Sequence, residues 1–433
     1  MQALNALKSR LLDLAIRGKL VPQIDGENEV EQIGKAPKEN PFEIPKKWKW
    51  VRLDDIAPYG KCERIEACSF DRDTWLLNLE DIEKDTGRLL QKNKIIKNQG
   101  AKYLFNKGDV LYSRLRPYLN KVLVADEDGV CTTEIIPLKP KENTLSGSYL
   151  SFFLKSQYFV QYAVSQSYGV KMPRVGTATA KNALVALPPL DEQKRIVEKL
   201  ESLFAKIDTI QKSIDEVSQL GASLEKQLLQ SSISGKLVPQ LDEEPEAKQI
   251  GQAPEEVPFE IPGKWKWGRL SDYGNIVGGG TPSTSVSNYW DGEISWITPA
   301  DLGKIKSPWI DRGAKSITKL GLENSSAKKM PAGSIVYSSR APIGRVAIAK
   351  NELCTSQGCK SFVPDPNLVD SKYAYYVLKA LTPEIIARAS GTTFKEISGK
   401  QFGKTLIPVP PLREQQRIVA KLDKLMLEIQ KLQ

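Results

Sequence analysis

The chain has 433 residues and a formal charge of +10, from 62 basic and 52 acidic side chains. This length supports two or three domains that each bury a core, and the basic balance favours a nucleic-acid partner. The sequence contains no histidine, which excludes Ser-His-Asp and Cys-His catalysis and removes the commonest general base and zinc ligand.

The cysteines point to a reducing compartment. Their number is odd and they lack the short paired spacings of a zinc site, which argues against a disulfide framework and a metal centre. No run of about 18 apolar residues and no signal-peptide pattern is present. We therefore expect a soluble, cytoplasmic protein with reduced thiols, no cofactor, no metal and no membrane partner. The cysteines are Cys62, Cys68, Cys131, Cys354 and Cys359.

Two copies of one unit fill the chain. The segment GKLVPQ at 18–23 recurs at 235–240, an offset of 217 (235 − 18). PPLDEQKRIVEKL at 188–200 recurs as PPLREQQRIVAKL at 410–422, an offset of 222 (410 − 188). A period this long, present only twice, predicts two homologous domains related by a pseudo-two-fold axis.

The interiors of the two copies differ. Residues 57–107 and 274–331 share little that can be aligned, whereas the flanking segments match closely. This pattern is typical of one scaffold that carries two different recognition surfaces. The KWKW segments at 47–50 and 264–267 belong to the repeated scaffold, so we interpret them as packing at a domain edge rather than stacking on bases.

Residues 191–234 predict one long helix. Pro188 and Pro189 precede it and Gly235 follows it, at the places where start and stop signals belong. At about 1.5 Å per residue, this helix would reach roughly 65 Å. Its apolar residues alternate at spacings of four and three, which is the seam of a coiled coil. The seam residues are Ile196, Leu200, Leu203, Ile207, Ile210 and Ile214.

The partner of this helix is predicted to be split between the chain ends. Leu7 and Leu11 near the N-terminus match Leu224 and Leu228 by the 217 offset (224 − 7). We therefore expect the two termini to meet and their helices to run antiparallel to the central helix. Amphipathic helices packed locally on each domain are the alternative, which leaves the register unexplained. The C-terminal seam residues are Ile418, Leu422, Leu425 and Ile429.

The predicted fold class is α+β, with two homologous domains separated by a long antiparallel two-helix coiled-coil spacer in a pseudo-circular arrangement. Its segments are an N-terminal helix at 1–17, a first domain at 18–190, a central helix at 191–234, a second domain at 235–411 and a C-terminal helix at 412–433.

A basic loop recurs in both domains. Residues 108–126 and 333–349 each predict a strand, a loop with basic residues and a second strand. A solvated turn is the alternative, but recurrence at the same place favours a shared working surface. A second candidate is the segment 169–174, which matches 391–396 at the 222 offset (391 − 169).

A glycine run, VGGGTPSTS, occupies 277–285. It lacks the Gly-Lys-Ser/Thr ending of a phosphate-binding loop, so a flexible turn is the simpler interpretation. If the turn contacts a ligand, the hydroxyls of Thr281 and Ser283 suit phosphate oxygens. The sequence also lacks the motifs of an adenine methyltransferase, a nucleotide-driven translocase and a nuclease.

The duplicated GKLVPQ boxes, the PPL-x-EQ-x-RIV-x-KL segments and the run GGTPST…YW…ISWITPADL at 279–302 together suggest a family. Across nearly all its length, the chain resembles the specificity subunits of bacterial type I restriction-modification systems. The resemblance implies two target-recognition domains that each read one half of a split site in double-stranded DNA, with the helices setting the gap.

The same resemblance implies partners that do the chemistry. Modification subunits, expected to number two, would carry the methyltransferase activity and dock mainly on the helical pair. Motor-nuclease restriction subunits would complete the assembly, and the chain itself would not be an enzyme. Two other classes stay open, a stand-alone enzyme of unknown chemistry and a scaffold that does not read DNA.

The recognition role transfers to regions, within which basic and hydroxyl side chains are the candidates. An arginine can hold a guanine edge through two hydrogen bonds, and Lys, Ser and Thr can hold phosphates. The expected DNA-binding residues are Arg114, Arg116, Lys121, Lys171 and Arg174 in the first domain, and Thr281, Ser283, Ser338, Ser339, Arg340 and Lys395 in the second.

Overall fold

The computed structural model divides the chain into two compact units, here the first unit, Met1–Ser213, and the second unit, Ile214–Gln433. Both units mix helices with small sheets, in agreement with the predicted α+β class. The residues that the structure describes are 2–66, 73–94, 100–340, 342–391 and 395–432.

The elements of the first unit alternate short strands with a few helices. Its helices are α1 (Gln2–Ile16), α2 (Leu53–Ile56), α3 (Gly147–Lys155), α4 (Gln157–Ser165), α5 (Thr177–Lys181) and α6 (Leu190–Ile233), the last of which continues into the second unit. Its strands are β1 (Lys49–Arg52), β2 (Arg64–Glu66), β3 (Trp75–Leu77), β4 (Asn93–Lys94), β5 (Ala101–Phe105), β6 (Val110–Ser113), β7 (Val122–Val124), β8 (Gly129–Cys131), β9 (Ile135–Leu138), β10 (Ser167–Tyr168), β11 (Arg174–Val175) and β12 (Leu184–Leu187).

The strands of the first unit form small sheets. A five-stranded sheet has the order β2-β5-β8-β3-β4, in which only the β3–β8 pair is parallel. An antiparallel sheet has the order β7-β6-β9, β1 pairs with β12, and β10 with β11 makes a short hairpin. The main core lies where α1, α3, α4 and the start of α6 meet β1, β6, β9 and β12.

The second unit repeats this plan with some longer strands and with two helices of 17 and 21 residues beyond α6. Its helices beyond α6 are α7 (Pro299–Leu302), α8 (Lys319–Glu323), α9 (Ser371–Ala387), α10 (Gly399–Gly403) and α11 (Leu412–Leu432). Its strands are β13 (Lys266–Arg269), β14 (Gly274–Gly278), β15 (Trp290–Ile297), β16 (Trp309–Ile310), β17 (Lys315–Ile317), β18 (Ile335–Ser338), β19 (Val346–Ala349), β20 (Cys354–Thr355), β21 (Cys359–Pro364) and β22 (Leu406–Val409).

The sheets of the second unit follow the orders β14-β21-β18-β19-β16, β17-β15-β20 and β13-β22. Its main core is formed by α9, α11 and the end of α6 against β18, β19, β21 and β22. The start of α9 is set by Asp370, whose carboxylate accepts a hydrogen bond from the backbone N–H of Tyr373 at 3.0 Å. This is an ordinary helix N-cap, which satisfies one of the free amides of the first turn.

The helix predicted at 191–234 is confirmed, since α6 is one continuous helix of 44 residues. Gly235 follows it with φ of +73°, and a Cβ there would lie 2.2 Å from Cγ of Pro262. Gly18 follows α1 in the same way, with φ of +67° and a Cβ contact of 2.2 Å to Pro45. Only glycine fits this stop, which explains why both copies carry it.

The seam of α6 is buried only near its start. Within the first unit Ile196, Leu200 and Ile207 are buried and Leu203 is half-buried, whereas Ile210 is 50% exposed. Ile214 in the second unit is 46% exposed. The coiled-coil pairing predicted along the middle of the helix therefore stays a prediction.

Each terminal helix shares a buried cluster with part of α6 inside its own unit. In the first unit, Nζ of Lys8 on α1 lies 2.5 Å from Asp208 and 5.5 Å from the ring centre of Phe204 on α6. In the second unit, Leu229 and Ile233 of α6 share a buried cluster with α11. The predicted meeting of the two termini stays a prediction. The α11 seam residues Ile418, Leu422 and Ile429 are buried and Leu425 is half-buried.

The KWKW tryptophans are buried in both units, which confirms that they pack inside the fold. Trp48 and Trp50 are 2% and 4% exposed, and Trp265 and Trp267 are 2% and 7% exposed. The rings of Phe42 and Trp50 meet edge to face at 4.8 Å, and Phe259 repeats this contact with Trp267 at 5.0 Å.

The four described cysteines are free thiols, and three of them are buried. Cys68 lies outside the described residues. Within the described ranges, no His, Cys, Asp or Glu side chains group in threes as metal ligands would. Among the same residues, no helix combines the length and apolar character needed to cross a bilayer.

Candidate nucleic-acid interface

The two predicted strand-loop-strand segments are confirmed as antiparallel pairs. In the first unit β6 pairs with β7, and in the second β18 pairs with β19. Both first strands are fully buried, so the loop that follows each is held at the end of a rigid element. In the first unit the turn requires left-handed backbone at Arg116 and Asn120, with φ of 51° and 50°.

In each unit this loop contacts the second candidate segment. The backbone N–H of Val175 donates to the carbonyl oxygen of Arg114 at 3.0 Å, and that of Ile397 donates to Ser339 at 3.0 Å. Val175 and Ile397 are 222 residues apart (397 − 175), the offset of the repeat in this region. Segments that are distant in sequence are thus joined by the same backbone hydrogen bond in both copies.

A third segment completes the same junction. The backbone N–H of Arg114 donates to the carbonyl oxygen of Glu134 at 3.0 Å. In the second unit the N–H of Ser339 donates to Gly358 at 2.8 Å. We call this three-segment arrangement the loop junction, formed around Arg114, Glu134 and Val175 in the first unit and around Ser339, Gly358 and Ile397 in the second. Its backbone bonds are alike, but its side chains differ.

The loop junction of the first unit contains a carboxylate between two guanidinium groups. Nε of Arg114 lies 3.3 Å from Oε2 of Glu134. Arg174 approaches the same carboxylate with Nε at 3.0 Å and a terminal nitrogen at 2.8 Å from Oε1. Burial raises the pKa of Glu134, but the hydrogen bond from Arg174 and the charge of Arg114 outweigh burial and lower that pKa below its ordinary value.

The loop junction of the second unit also holds a carboxylate between two cations, but from different positions. Nε of Arg340 lies 2.8 Å from Oε2 of Glu396, and Nζ of Lys360 lies 3.7 Å from Oε1. Glu396 stands where the first unit has Arg174 (396 − 174 = 222). The sign of the charge at this position is therefore reversed between the units.

Three candidate cations project freely. The side chains of Arg116, Lys171 and Lys395 are exposed and make no hydrogen bond or ion pair with any described residue. Lys171 lies at the tip of the β10–β11 hairpin beside Val170, which is fully exposed, and Met172, which is 44% exposed. Residues 392–394 of the matching segment in the second unit lie outside the described residues.

Three other candidates are engaged within the fold. The ammonium of Lys121 donates to the carbonyl oxygen of Leu79 at 2.6 Å. Ser338 and Ser339 are both fully buried. The hydroxyl of Ser338 donates to the carbonyl of Pro342 at 2.8 Å, and that of Ser339 donates to Gly358 at 3.0 Å. These contacts hold the loops in shape and leave the hydroxyls without access to solvent.

The glycine run begins in β14, and Gly279 and Gly280 beyond that strand are tightly packed, whereas the sequence suggested a flexible turn. A Cβ at Gly280 would lie 2.1 Å from the backbone nitrogen of Ala327, so close approach of two backbones requires glycine there. Thr281 and Ser283 are exposed beyond this point. The indole N–H of Trp290 donates to the carbonyl of Ser283 at 3.1 Å, which fixes the turn.

Sequence reasoning missed Glu134 and Lys360. Both lie at or next to a strand and belong to no motif, and their importance depends on which strand lies beside which. The available signal was the acidic residue just before the apolar run IIPL at 135–138. A further group of cations was missed, since Arg269, Lys400 and Lys404 line a cavity of about 520 Å³ in the second unit.

One glutamine of the motif shared by the two copies has a structural role. The amide of Gln193 donates to the carbonyl oxygens of Thr144 and Pro188 at 2.8 and 3.0 Å. Gln415 makes the same pair of bonds at 2.9 Å to Leu368 and Pro410. The glutamine of the EQ pair thus fastens the start of α6 or α11 to its unit.

The sequence matches one protein family and is similar to known specificity subunits. A family model described as the type I restriction modification DNA specificity domain matches residues 45–219 and 262–433. The chain is 41% identical to the type I restriction enzyme MjaIX specificity subunit of Methanocaldococcus jannaschii, over 37% of this chain and 38% of that protein. It is 24% identical to the EcoAI specificity subunit of Escherichia coli, over 98% of this chain and 89% of that protein.

The fold is shared with a solved protein. A chain from a structure that concerns complex assembly and conformational transition of a type I R-M system superposes with a TM-score of 0.72. The two are 24% identical, and the match covers 90% of this chain and 93% of the other. At this identity the superposition shows a common fold.

Proposed function

Since the chain belongs to the family of type I restriction-modification DNA specificity domains, we propose that each of its two units reads one half of a split site in double-stranded DNA. The observation that carries this proposal is the loop junction, where one backbone arrangement presents different side chains in the two units. A common frame with divergent side chains is what two readers of unlike sequences require.

The charges at the loop junction suit a nucleic acid. Arg116 and Lys171 in the first unit and Lys395 in the second are exposed cations without partners among the described residues, so each is free to hold a phosphate. The exposed hydroxyls of Thr281 and Ser283 are proposed as further phosphate contacts.

The remaining candidates divide into base readers and supports. Arg114 and Arg340 are held by carboxylates, which suits a defined orientation toward base edges, whereas Arg174 holds the carboxylate that lies beside Arg114. Lys121, Ser338 and Ser339 bond to carbonyl oxygens within their own unit, and we propose that they support the loops.

The chemistry is assigned to partners. We propose that two modification subunits supply methyl transfer and that restriction subunits supply translocation and cleavage, while this chain contributes recognition and spacing. The middle of α6 carries exposed apolar side chains, among them Ile210, Ile214 and Val217, which suit the proposed pairing with a second helix, and the modification subunits are proposed to dock on that helical pair. The antiparallel pairing of the helices, and its role as a ruler between the half-sites, is part of this proposal.

A scaffold that assembles the partners without reading DNA is the second candidate. It would need the helices but would not need two loop junctions with different charge arrangements. The stand-alone enzyme is not supported by any motif. Binding of the complex to duplexes that contain or lack a specific site distinguishes the two candidates. A reader of DNA prefers the duplex with the site, and a scaffold does not.

The test is methylome sequencing of cells that express the chain together with a modification subunit. We expect a split motif of two defined halves with a fixed unread gap. Replacing residues 235–411 with those of a relative should change one half and leave the other half and the gap length unchanged. An active partner that gives no split motif would contradict the proposal and favour the scaffold.

A further inference from the structure

We propose that Glu134 and Glu396 are positioning carboxylates, each of which orients one arginine, Arg114 or Arg340, to read a guanine in the half-site of its own unit. This inference rests on the proposed function and deepens it, because it names the base and the groups that select it. Neither glutamate contacts DNA in this proposal.

The unused donors of Arg114 make it the reader in the first unit. A guanidinium has five N–H donors, and Arg114 uses only its Nε–H toward Oε2 of Glu134. Its terminal nitrogens make no hydrogen bond with any described residue. Those two nitrogens form the parallel pair of donors that matches O6 and N7 of guanine in the major groove.

Arg174 has a different role in the same cluster. Its Nε and one terminal nitrogen bond Oε1 of Glu134 at 3.0 and 2.8 Å, and its other terminal nitrogen lies 3.3 Å from the carbonyl of Met172. Each of its three nitrogens is therefore engaged within the unit. Arg174 anchors the carboxylate, and the anchored carboxylate fixes Arg114.

The second unit has the same kind of arrangement, formed by different residues. Nε of Arg340 donates to Oε2 of Glu396 at 2.8 Å, and its terminal nitrogens make no bond with any described residue. Lys360 takes the anchoring role, with Nζ 3.7 Å from Oε1 of Glu396 and 3.2 Å from the carbonyl of Gln357. One arginine held at Nε and one anchoring cation thus occur in both units, although the carboxylates come from non-equivalent positions.

The glutamates themselves are poor candidates for reading a cytosine amino group. Both oxygens of Glu134 already accept from arginines, and both oxygens of Glu396 face a cation. A purely structural role is also weak, because partly exposed ion pairs contribute little to the stability of a fold. Orientation of a base-reading group is the function that remains for a carboxylate at this place.

The first experiment compares methylomes of complexes carrying Glu134→Gln, Arg114→Ala, Glu396→Gln or Arg340→Ala. We expect the first two variants to make the same single guanine degenerate in one half-site and to leave the other half-site intact. The last two should do the same in the opposite half-site. Each unit is therefore the matched control for the other, and thermal unfolding of each complex checks that the fold is retained.

The second experiment uses duplexes in which one guanine is replaced by 7-deazaguanine, which lacks the N7 acceptor. The wild-type complex should lose roughly tenfold in affinity at the guanine that Arg114 reads. The Arg114→Ala complex should show no further loss with the same duplex, whereas Glu134→Asp should keep part of the discrimination and Glu134→Gln less of it. A structural role alone would leave the sensitivity to N7 unchanged.

The outcomes separate the inference from the proposed function. If the wild-type complex gives a split motif but Arg114→Ala keeps its guanine, or a half-site contains no guanine, the inference is overturned for that unit and the reader proposal stands. If the wild-type complex gives no split motif, both the inference and the proposed function are contradicted.

Discussion

The ammonium nitrogen of Lys121 lies 2.6 Å from the carbonyl oxygen of Leu79. Lys121 belongs to the loop between β6 and β7, the same loop that exposes Arg116. One lysine of the loop is thus engaged in holding the fold, while the neighbouring arginine is free. Because the two side chains differ in this way, their removal should have different consequences.

Lys121→Ala should loosen the loop of the first unit. The substitution removes a charge-assisted hydrogen bond to a main-chain carbonyl, worth about 1.5–3 kcal/mol. We expect faster hydrogen exchange in residues 114–121 and weaker discrimination in one half-site, with the salt dependence of DNA binding unchanged. Lys121→Arg, which keeps a donor, is the control. A reduced salt slope with unchanged exchange would instead assign Lys121 to a phosphate.

Arg116→Ala and Lys171→Ala should each weaken DNA binding almost equally for all sequences. Removing one cation from a phosphate should lower the slope of log affinity against log salt concentration by about 1. Titrations of the complex at several salt concentrations measure this slope. Lys395→Ala is the matched variant in the second unit. Loss of one base preference without a change of slope would contradict the phosphate assignment.

Gln193→Ala and Gln415→Ala should destabilise their own units to a similar extent. Each glutamine is fully buried and satisfies two main-chain carbonyls, which alanine would leave unpaired at a cost of about 1–3 kcal/mol each. Hydrogen exchange read peptide by peptide should locate the loss around α3 for the first variant and around α9 for the second. Equal effects in both units from one substitution would contradict this assignment.

Lys155→Met should stabilise the first unit at neutral pH. Burial lowers the pKa of Lys155 from 10.5 to about 8. The folded-state pKa is thus below the unfolded value, so the unfolded chain binds more protons between these values and the stability due to this group rises with pH across that window. At pH 7 the buried ammonium lowers the free energy of unfolding, and methionine removes this destabilisation.

The gain from Lys155→Met should be about 1 kcal/mol at pH 7, less than the full shift would give, because the side chain keeps some contact with water. It should shrink as the pH approaches 10.5. Urea unfolding of wild type and variant, with hydrogen exchange of α3, measures the difference at each pH. A gain that does not depend on pH would show that packing, and not the charge, is responsible.

The elements that sequence predicted best are those with a local signal. The helix α6 follows from the spacing of Ile196, Leu200 and Ile207 together with the stop at Gly235, all of which are neighbours along the chain. The strand-loop-strand segments follow from apolar runs that end at Ser113 and Ser338 and are followed by basic residues and a proline. The burial of the KWKW tryptophans followed from their place in the repeated scaffold.

The roles within the candidate site could not be predicted in the same way. Ser338 and Thr281 were both expected to contact DNA through their hydroxyls, but Ser338 is fully buried at the end of β18 and Thr281 is exposed. Glu134 acquires its role from Arg174, which is 40 residues away (174 − 134) and reaches it only through strand pairing. Long-range register, not local composition, decides which charges meet.

Gly358 limits which substitutions could give the second unit the charged side-chain arrangement of the first. It stands where the first unit has Glu134, and a Cβ there would lie 3.0 Å from Cγ of Pro299, closer than side chains normally approach. Replacing Glu396 with arginine would therefore leave that arginine without a carboxylate. A new specificity is more accessible through the inheritance of whole segments than through the accumulation of single substitutions.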